Sequence, residues 1–333
     1  MQVARALIHA AAVVLLCAAA WLFPAAASPE TWRAEGWQTD FSKTTIDFEE
    51  ILSGGPPRDG IPSIDKPEFI DIQQEKSLGE MEPVIGLEID GDARAYPLRV
   101  LIWHEIANDV VGGVPVAVTY CPLCNSAVVF ERVLGGEILE FGVSGKLRNS
   151  DLVMYDRNSQ SWWQQFTGEA IAGSYTGQEL QTRPARLESF SSFKARNPNG
   201  RVLVPNNPTA RDYGRNPYVQ YDSAQAPFLY KGALPKGISP MARVVVVEVD
   251  GKPHAIPLEE LRKKTKITIG DVELGWSAGQ NSALDAAPIA QGRDVGNVTA
   301  QRKSDHGATD IRYDVTFAFV FHAFHPDRPI HGS

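Results

Sequence analysis

Two stretches of the chain, 160 residues apart, carry the same order of apolar and polar positions: Ile89 to Leu98 around Asp90-Gly91, and Val249 to Leu258 around Asp250-Gly251. Each follows an apolar run, Val84 to Leu87 in the first and Val244 to Val247 in the second. Asp-Gly between two such runs predicts a two-residue hairpin. The turn whose hand suits twisted strands needs positive φ at both positions, which Asp tolerates and Gly adopts freely. A second match follows at an offset of 156, Val116 to Ala127 against Val272 to Ala283, and places Ser277 where the first copy has Cys121 and Gln280 where it has Cys124. Between the two matched pieces of the first copy, Leu98, Leu101, Ile102 and Ile106 have helical spacing, so a short helix is expected over Leu98 to Asn108.

From Phe141 to Gly173 short strand-like runs, among them Leu152 to Tyr155 and Trp162 to Phe166, alternate with Asp, Asn, Gly and Ser turns. Ser189 to Asn197 reads as a helix and Arg201 to Pro205 as a strand, whereas residues 206–240 are rich in Pro, Asn and Tyr and read as a connecting loop. The expected fold is therefore α+β and mainly β, with antiparallel sheets and an internally duplicated β-hairpin unit. Its parts are a signal at 1–27, an extension at 28–79, a first repeat at 80–205, the connection at 206–240, and a second, cysteine-free repeat at 241–333.

The signal rests on Arg5, the unbroken apolar stretch Ala10 to Phe23, then Pro24 and Ala25-Ala26-Ala27, which has the form of a secretory leader cleaved after Ala27. The stretch is shorter than the roughly 20 apolar residues that span a bilayer, and no later stretch is apolar enough to do so. The expected location is periplasmic or extracellular, without a membrane span after cleavage. Losing Arg5 takes the formal charge from −8 to −9, and an acidic chain without a basic run argues against nucleic acid as a partner. An exported protein or a small molecule is the expected kind of partner.

Of three cysteines, Cys17 falls within the leader, so thiol chemistry is confined to Cys121 and Cys124 in the run Thr119-Tyr120-Cys121-Pro122-Leu123-Cys124-Asn125. Several further motifs accompany it: Ala95-Tyr96-Pro97-Leu98, His104-Glu105 with Asn108, Phe141-Gly142-Val143-Ser144-Gly145, Asp151 to Arg157, Trp163-Gln164-Gln165, and Ala323 to Asp327. In this order the set resembles the bacterial and archaeal family known as domain of unknown function 3179, over roughly residues 80 to 328. The resemblance implies no activity. Where the family commonly has Gly after the second cysteine this chain has Asn125, the non-Gly residue that best tolerates positive φ.

Three roles compete for the cysteine loop. A structural disulfide closing so short a loop stabilises by only about 2 kcal/mol against roughly 3 for a fifteen-residue loop. It would leave a binding module in which exposed Trp163 and Tyr155 contact a sugar or peptide. A thiol–disulfide oxidoreductase would use Cys121 and Cys124 as its catalytic pair, with His104 or Arg148 as the cation that favours thiolate. The residues after Cys124 are β-branched and aromatic, however, so the helix N-terminus that activates thioredoxin-type pairs is not expected. Strand, Cys-Pro-x-Cys turn, strand is also a metal knuckle, and a closed tetrahedral site needs further ligands. His104 is the candidate third ligand, with Glu105, Tyr120 and Asn125 around it, and zinc, copper or iron as the metal. Asn125 stands where c-type haem attachment requires His. No Ser-His-Asp order, phosphate loop or paired-carboxylate motif stands out.

One outcome follows for the leader. N-terminal sequencing of protein recovered from cells is expected to begin near Ser28 and not at Met1 or Gln2.

Overall fold

The computed structural model describes residues 28–305 and 307–331; the expected leader at 1–27 lies outside them. The fold is mainly β, with 41% strand and 13% helix arranged as several antiparallel sheets. In the first half, the hairpin Pro83–Ile89/Asp92–Pro97 is followed by the one-turn helix Leu98–Leu101. The hairpin Ile106–Val111/Val114–Cys121 comes next, and then the strand Ser126–Glu131, paired with Val114–Cys121. The second half has the same order: Arg243–Val249/Lys252–Pro257, helix Leu258–Lys264, Lys266–Ile269/Val272–Ser277, then Asn297–Ser304. The paired turns agree in conformation, φ 49° and 80° at Asp90-Gly91 and 51° and 66° at Asp250-Gly251. In each half a later strand, Arg186–Ser189 or Tyr313–Phe317, pairs antiparallel with the first strand of the first hairpin and runs directly into a helix.

The halves differ where the chemistry lies. Asn297–Ser304 passes directly to Gly307–Asp310, whereas between Ser126–Glu131 and Thr182–Arg183 the first half inserts Phe141–Arg148, Asp151–Asp156, Trp162–Gln164 and Ala170–Ala172, which form a further sheet with Ile51–Ser53. Ile51–Ser53 belongs to the N-terminal extension, which is sewn onto this sheet by its aromatic residues. Trp32, Trp37 and Phe41 pack their rings 4.7, 5.2 and 5.1 Å from that of Trp162. Tilted and edge-on pairs of this kind add about 0.5–1.5 kcal/mol each beyond the area they bury.

Several expectations are corrected. The helix at Leu98 ends at Leu101, and Ile106–Val111 is a strand, because pairing of six residues with Val114–Thr119 outweighs the helical spacing. Glu105 is thus not on a helical face; it sits in the turn with φ 59°, its N–H donating to the Leu101 carbonyl at 2.7 Å. The match after Ser277 does not hold as a turn, since residues 278–296 separate it from the next strand while four residues separate Cys121 from Ser126. His322 lies on the helix Ala318–Phe324, and His325 caps it. Trp163 and Tyr155 are buried, Trp163 donating to Asp156 Oδ2 at 2.9 Å, which removes the exposed aromatic pair of the binding-module reading. Asp156 and Arg157 do not pair with each other: Arg157 reaches Asp65 and Glu140.

The Phe141 to Gly145 motif has a steric reason. Gly145 has φ 74°, and a Cβ there would stand 2.1 Å from the Pro56 carbonyl oxygen; Gly136 has a similar φ of 86° with nothing within 4 Å. Gly136→Ala is expected to cost about 1 kcal/mol, from φ alone, and Gly145→Ala at least about 2 kcal/mol more, from the backbone collision. Urea unfolding midpoints of the two variants would measure the difference, and equal midpoints would refute it.

Candidate metal centre

Two hairpin turns meet to form the site. Cys121 ends the strand Val114–Cys121 and pairs with Ser126, so Pro122, Leu123, Cys124 and Asn125 form a four-residue turn. The Cys124 N–H donates to the Cys121 carbonyl at 3.2 Å, and Asn125 closes the turn with φ 51°, as expected of the residue in that place. A strand follows it. Opposite lies the turn between Phe141–Arg148 and Asp151–Asp156, made by Asn149 and Ser150 with φ 54° and 64°. That conformation at both positions defines the tight hairpin turn, and it delivers Asp151 to the sulfurs. The Ser150 carbonyl is 3.4 Å from Cys124 Sγ and 3.9 Å from Cys121 Sγ.

Both sulfurs and a carboxylate oxygen of Asp151 lie within 4.8 Å of one another, and all three residues are buried. The cysteines are free thiols. Asp151 Oδ2 accepts from Gln164 Nε2 at 2.6 Å and from the Phe166 N–H at 2.9 Å, while Oδ1 is buried with no hydrogen-bond partner. The carboxylate is therefore held by one oxygen and has the other to offer. A zinc ion bound at about 2.3 Å by each sulfur sets them about 3.8 Å apart, inside the observed limit. Two sulfurs and an oxygen at this spacing fit three corners of a tetrahedron.

The electrostatics are those of acids taken out of water. Burial pushes both thiols up, with the Asp151 charge adding to it, and raises Asp151 to about 6. Glu105, just outside this group, is raised to about 8 by burial and then by Asp151. No cation is among the leading influences on these four groups, and neither Asp151 nor Glu105 forms an ion pair with a described residue. Arg148 is occupied by Glu50 at 2.7 Å and Gln164 Oε1 at 3.4 Å.

His104 points to a different place. Its Nδ1 lies 2.7 Å from the Pro62 carbonyl, an acceptor, so Nδ1 carries the proton; its Nε2 lies 2.7 Å from the Tyr213 hydroxyl, on whose ring it stacks. Both nitrogens are engaged away from the sulfurs, and His104 is not in the convergent group. Of the surrounding candidates, Tyr120 donates to Asn125 Oδ1 at 3.4 Å, and Asn125 Nδ2 donates to the Val315 carbonyl at 2.6 Å. The residue of the convergent group that sequence reasoning missed is Asp151. Its signal was the polar pair Asn149-Ser150 between two strand-like runs, a hairpin turn that fixes the residue after it.

The rest of the chain closes over the turn. Thr316 Oγ1 and the Phe317 N–H donate to the Cys124 carbonyl at 2.7 and 3.3 Å, and Asp314 holds Ser126 Oγ and, at 3.2 Å, the Ala127 N–H. From the connecting segment, Tyr221 OH donates to the Leu123 carbonyl at 3.1 Å, and the Phe228 carbonyl accepts from Ser150 Oγ at 2.6 Å.

Residues 58–328 match the family described as Protein of unknown function (DUF3179). The chain belongs to this family. No curated protein and no solved structure matches it. The matched span of DUF3179 contains every residue of the site, from Glu105 to Phe317, and membership carries no activity with it. Among the described residues no helix is long and apolar enough to cross a membrane.

Asp314 is raised to about 7, first by burial, against about 4 when unfolded. A carboxyl raised on folding holds its proton in the native state between those values. Its contribution is therefore full below about pH 4 and falls as pH rises through 7, by up to about 1.4 kcal/mol per pH unit. Asp314→Asn is expected to flatten the decline of metal-free stability between pH 4 and 7, measured by urea unfolding across that range. An unchanged slope would remove Asp314 from the account.

Proposed function

We propose that this member of DUF3179 is an exported metal-binding protein that holds a soft or borderline ion through Cys121, Cys124 and Asp151. The observation that carries the reading is the convergence of two thiols and a half-satisfied carboxylate in a buried place without a neighbouring cation. In a site of low dielectric, three such groups are mutually repulsive as anions, and an ion of two positive charges removes that cost. Thiolates favour zinc, iron or Cu(I) over magnesium or calcium. The ion supplies charge neutralisation and a fixed geometry there, while Gln164 and the Phe166 N–H orient Asp151.

Two features weigh against thiol–disulfide exchange. A strand follows Cys124 where a helix would favour the thiolate, and burial raises both thiols where an attacking thiol needs to be lowered. Disulfide exchange also needs access, and both sulfurs are covered.

Metal analysis and thiol counting on the purified mature protein test the reading together. One ion per chain is expected, with two thiols that react only after unfolding or chelation. Cys121→Ser or Cys124→Ser should abolish binding, Asp151→Asn should weaken it by at least about tenfold, and His104→Ala should leave it unchanged. A metal-free protein with a reducible Cys121–Cys124 disulfide would overturn the proposal in favour of exchange.

A further inference from the structure

We infer that Glu105 is the fourth protein ligand of this site, closing it as a two-thiolate, two-carboxylate centre for a borderline divalent ion of the zinc or ferrous class and not for Cu(I). The inference rests on the metal reading above and adds the residue that completes the coordination and the class of ion it selects. Three observations lead to it.

First, Glu105 is 7% exposed, yet its carboxylate forms no hydrogen bond or ion pair with a described residue. Mostly buried carboxylates are costly unless paired, bonded or bound to a metal; the oxygens of Glu105 keep only a small opening to solvent, and no described protein group bonds them. Second, its backbone is fixed beside the cysteine strand. Its N–H is bound by the Leu101 carbonyl, and its own carbonyl accepts from the N–H of Tyr120, the residue before Cys121, at 2.8 Å. This attachment holds a glutamate at φ 59°, where an L-residue other than Gly, Asn or Asp is rare. Such strain persists where surrounding structure imposes it, and it clusters at functional sites. Third, its backbone adjoins Tyr120, the neighbour of Cys121, and its charge is felt at Cys121 and at the Tyr218 hydroxyl as that of Asp151 is felt at Glu105. It is not one of the three groups within 4.8 Å; ligation requires it to turn toward the sulfurs, and it has no hydrogen bond to break in doing so.

The donor set decides the ion. Two thiolates and two carboxylates carry the same formal charge as the four thiolates of common structural zinc sites. Carboxylate oxygen is a poor donor for Cu(I), which prefers thiolate and thioether, whereas zinc and ferrous ions accept sulfur and oxygen together. With all four positions filled by protein, the site has no open position for substrate or water, so its role is to hold an ion and the two hairpins around it.

Cobalt(II) titration of the metal-free mature protein, followed by visible absorption and thermal melting, tests this with Glu105→Gln beside the wild type. Cobalt should give the wild type the intense d–d bands of tetrahedral coordination with thiolate charge transfer, and should raise its Tm. Glu105→Gln should bind cobalt at least about tenfold more weakly, with shifted d–d bands, retained charge transfer and a smaller rise in Tm. Its metal-free form should melt no lower than the wild type, because an unpartnered buried acid has been removed, which establishes that the variant folds. Unchanged bands and affinity in Glu105→Gln would overturn the role of Glu105 and leave the three-residue site standing. Failure of the wild type to bind cobalt or zinc at all would overturn both.

Discussion

Burying acids without a cation is the constraint around which this molecule is arranged. Cys121, Cys124, Asp151 and Glu105 all leave water at the junction of two hairpins, and each is pushed toward its neutral form by the burial itself. Charged networks elsewhere in the molecule are compensated locally: Arg94 bridges Asp92 and Asp109 at 2.7 Å, and Asp222 takes Arg243 and Arg293. The cysteine site is different in kind. Its acids are brought together without an ion pair, which costs several kcal/mol for any of them that ionises. Such groups either keep their protons or share a cation, which is the ground for proposing a cation site here.

The second half gains a role from this geometry, although it has no cysteine. Its strand Tyr313–Phe317 reaches the cysteine turn through Asp314, Val315, Thr316 and Phe317, which together hold the backbone from Cys124 to Ala127. The inserted sheet of the first half supplies Asp151 from the other side. The site is therefore built between two elements far apart in sequence, and the turn between the thiols is gripped from both. Rigidity of this kind keeps two sulfurs at a fixed separation without a disulfide.

Much of the fold is legible in the sequence because it rests on local rules. Asp-Gly at 90–91 and 250–251 marks hairpins through φ alone, and the helix Phe190–Arg196 and strand Arg201–Val204 fall close to where capping Ser189 and β-branched residues place them. Errors arise where a contact from elsewhere decides. The spacing of Leu98, Leu101, Ile102 and Ile106 suits a helix, but Ile106 is claimed by strand pairing with Thr119. His104 is three residues past that helix and looks like a ligand because it precedes the cysteine strand; in three dimensions it serves Pro62 and Tyr213. Trp163 and Tyr155 read as a binding face because alternation fixes which side a residue faces and not what covers it: Trp37 and Asp59 of the extension cover Tyr155, while Trp163 packs on Phe141 and Tyr175. Asp151 was visible as part of a motif but not as a ligand, since nothing along the chain says that its hairpin will face Cys124.

Left-handed backbone occurs in turns throughout the chain, among them Gln160 and Thr265, and it recurs at the site. Glu105, Asn125 and Ser150 adopt φ values of 59°, 51° and 64°, conformations that cost an L-residue roughly 1–2 kcal/mol where it is neither Gly nor Asn. Glycine at 105 or 150 would relieve the backbone, so the side chains that stand there are tied to something other than the turn. For Ser150 that something is its hydroxyl, which fixes the Phe228 carbonyl over the site. For Asn125 it is the amide bridging to Val315. Glu105 alone among the three has no such bond, and burial followed by the Asp151 charge pushes it toward its neutral form. Strain that two neighbours offset with hydrogen bonds has no such offset in Glu105, which is one ground on which it is proposed as a ligand.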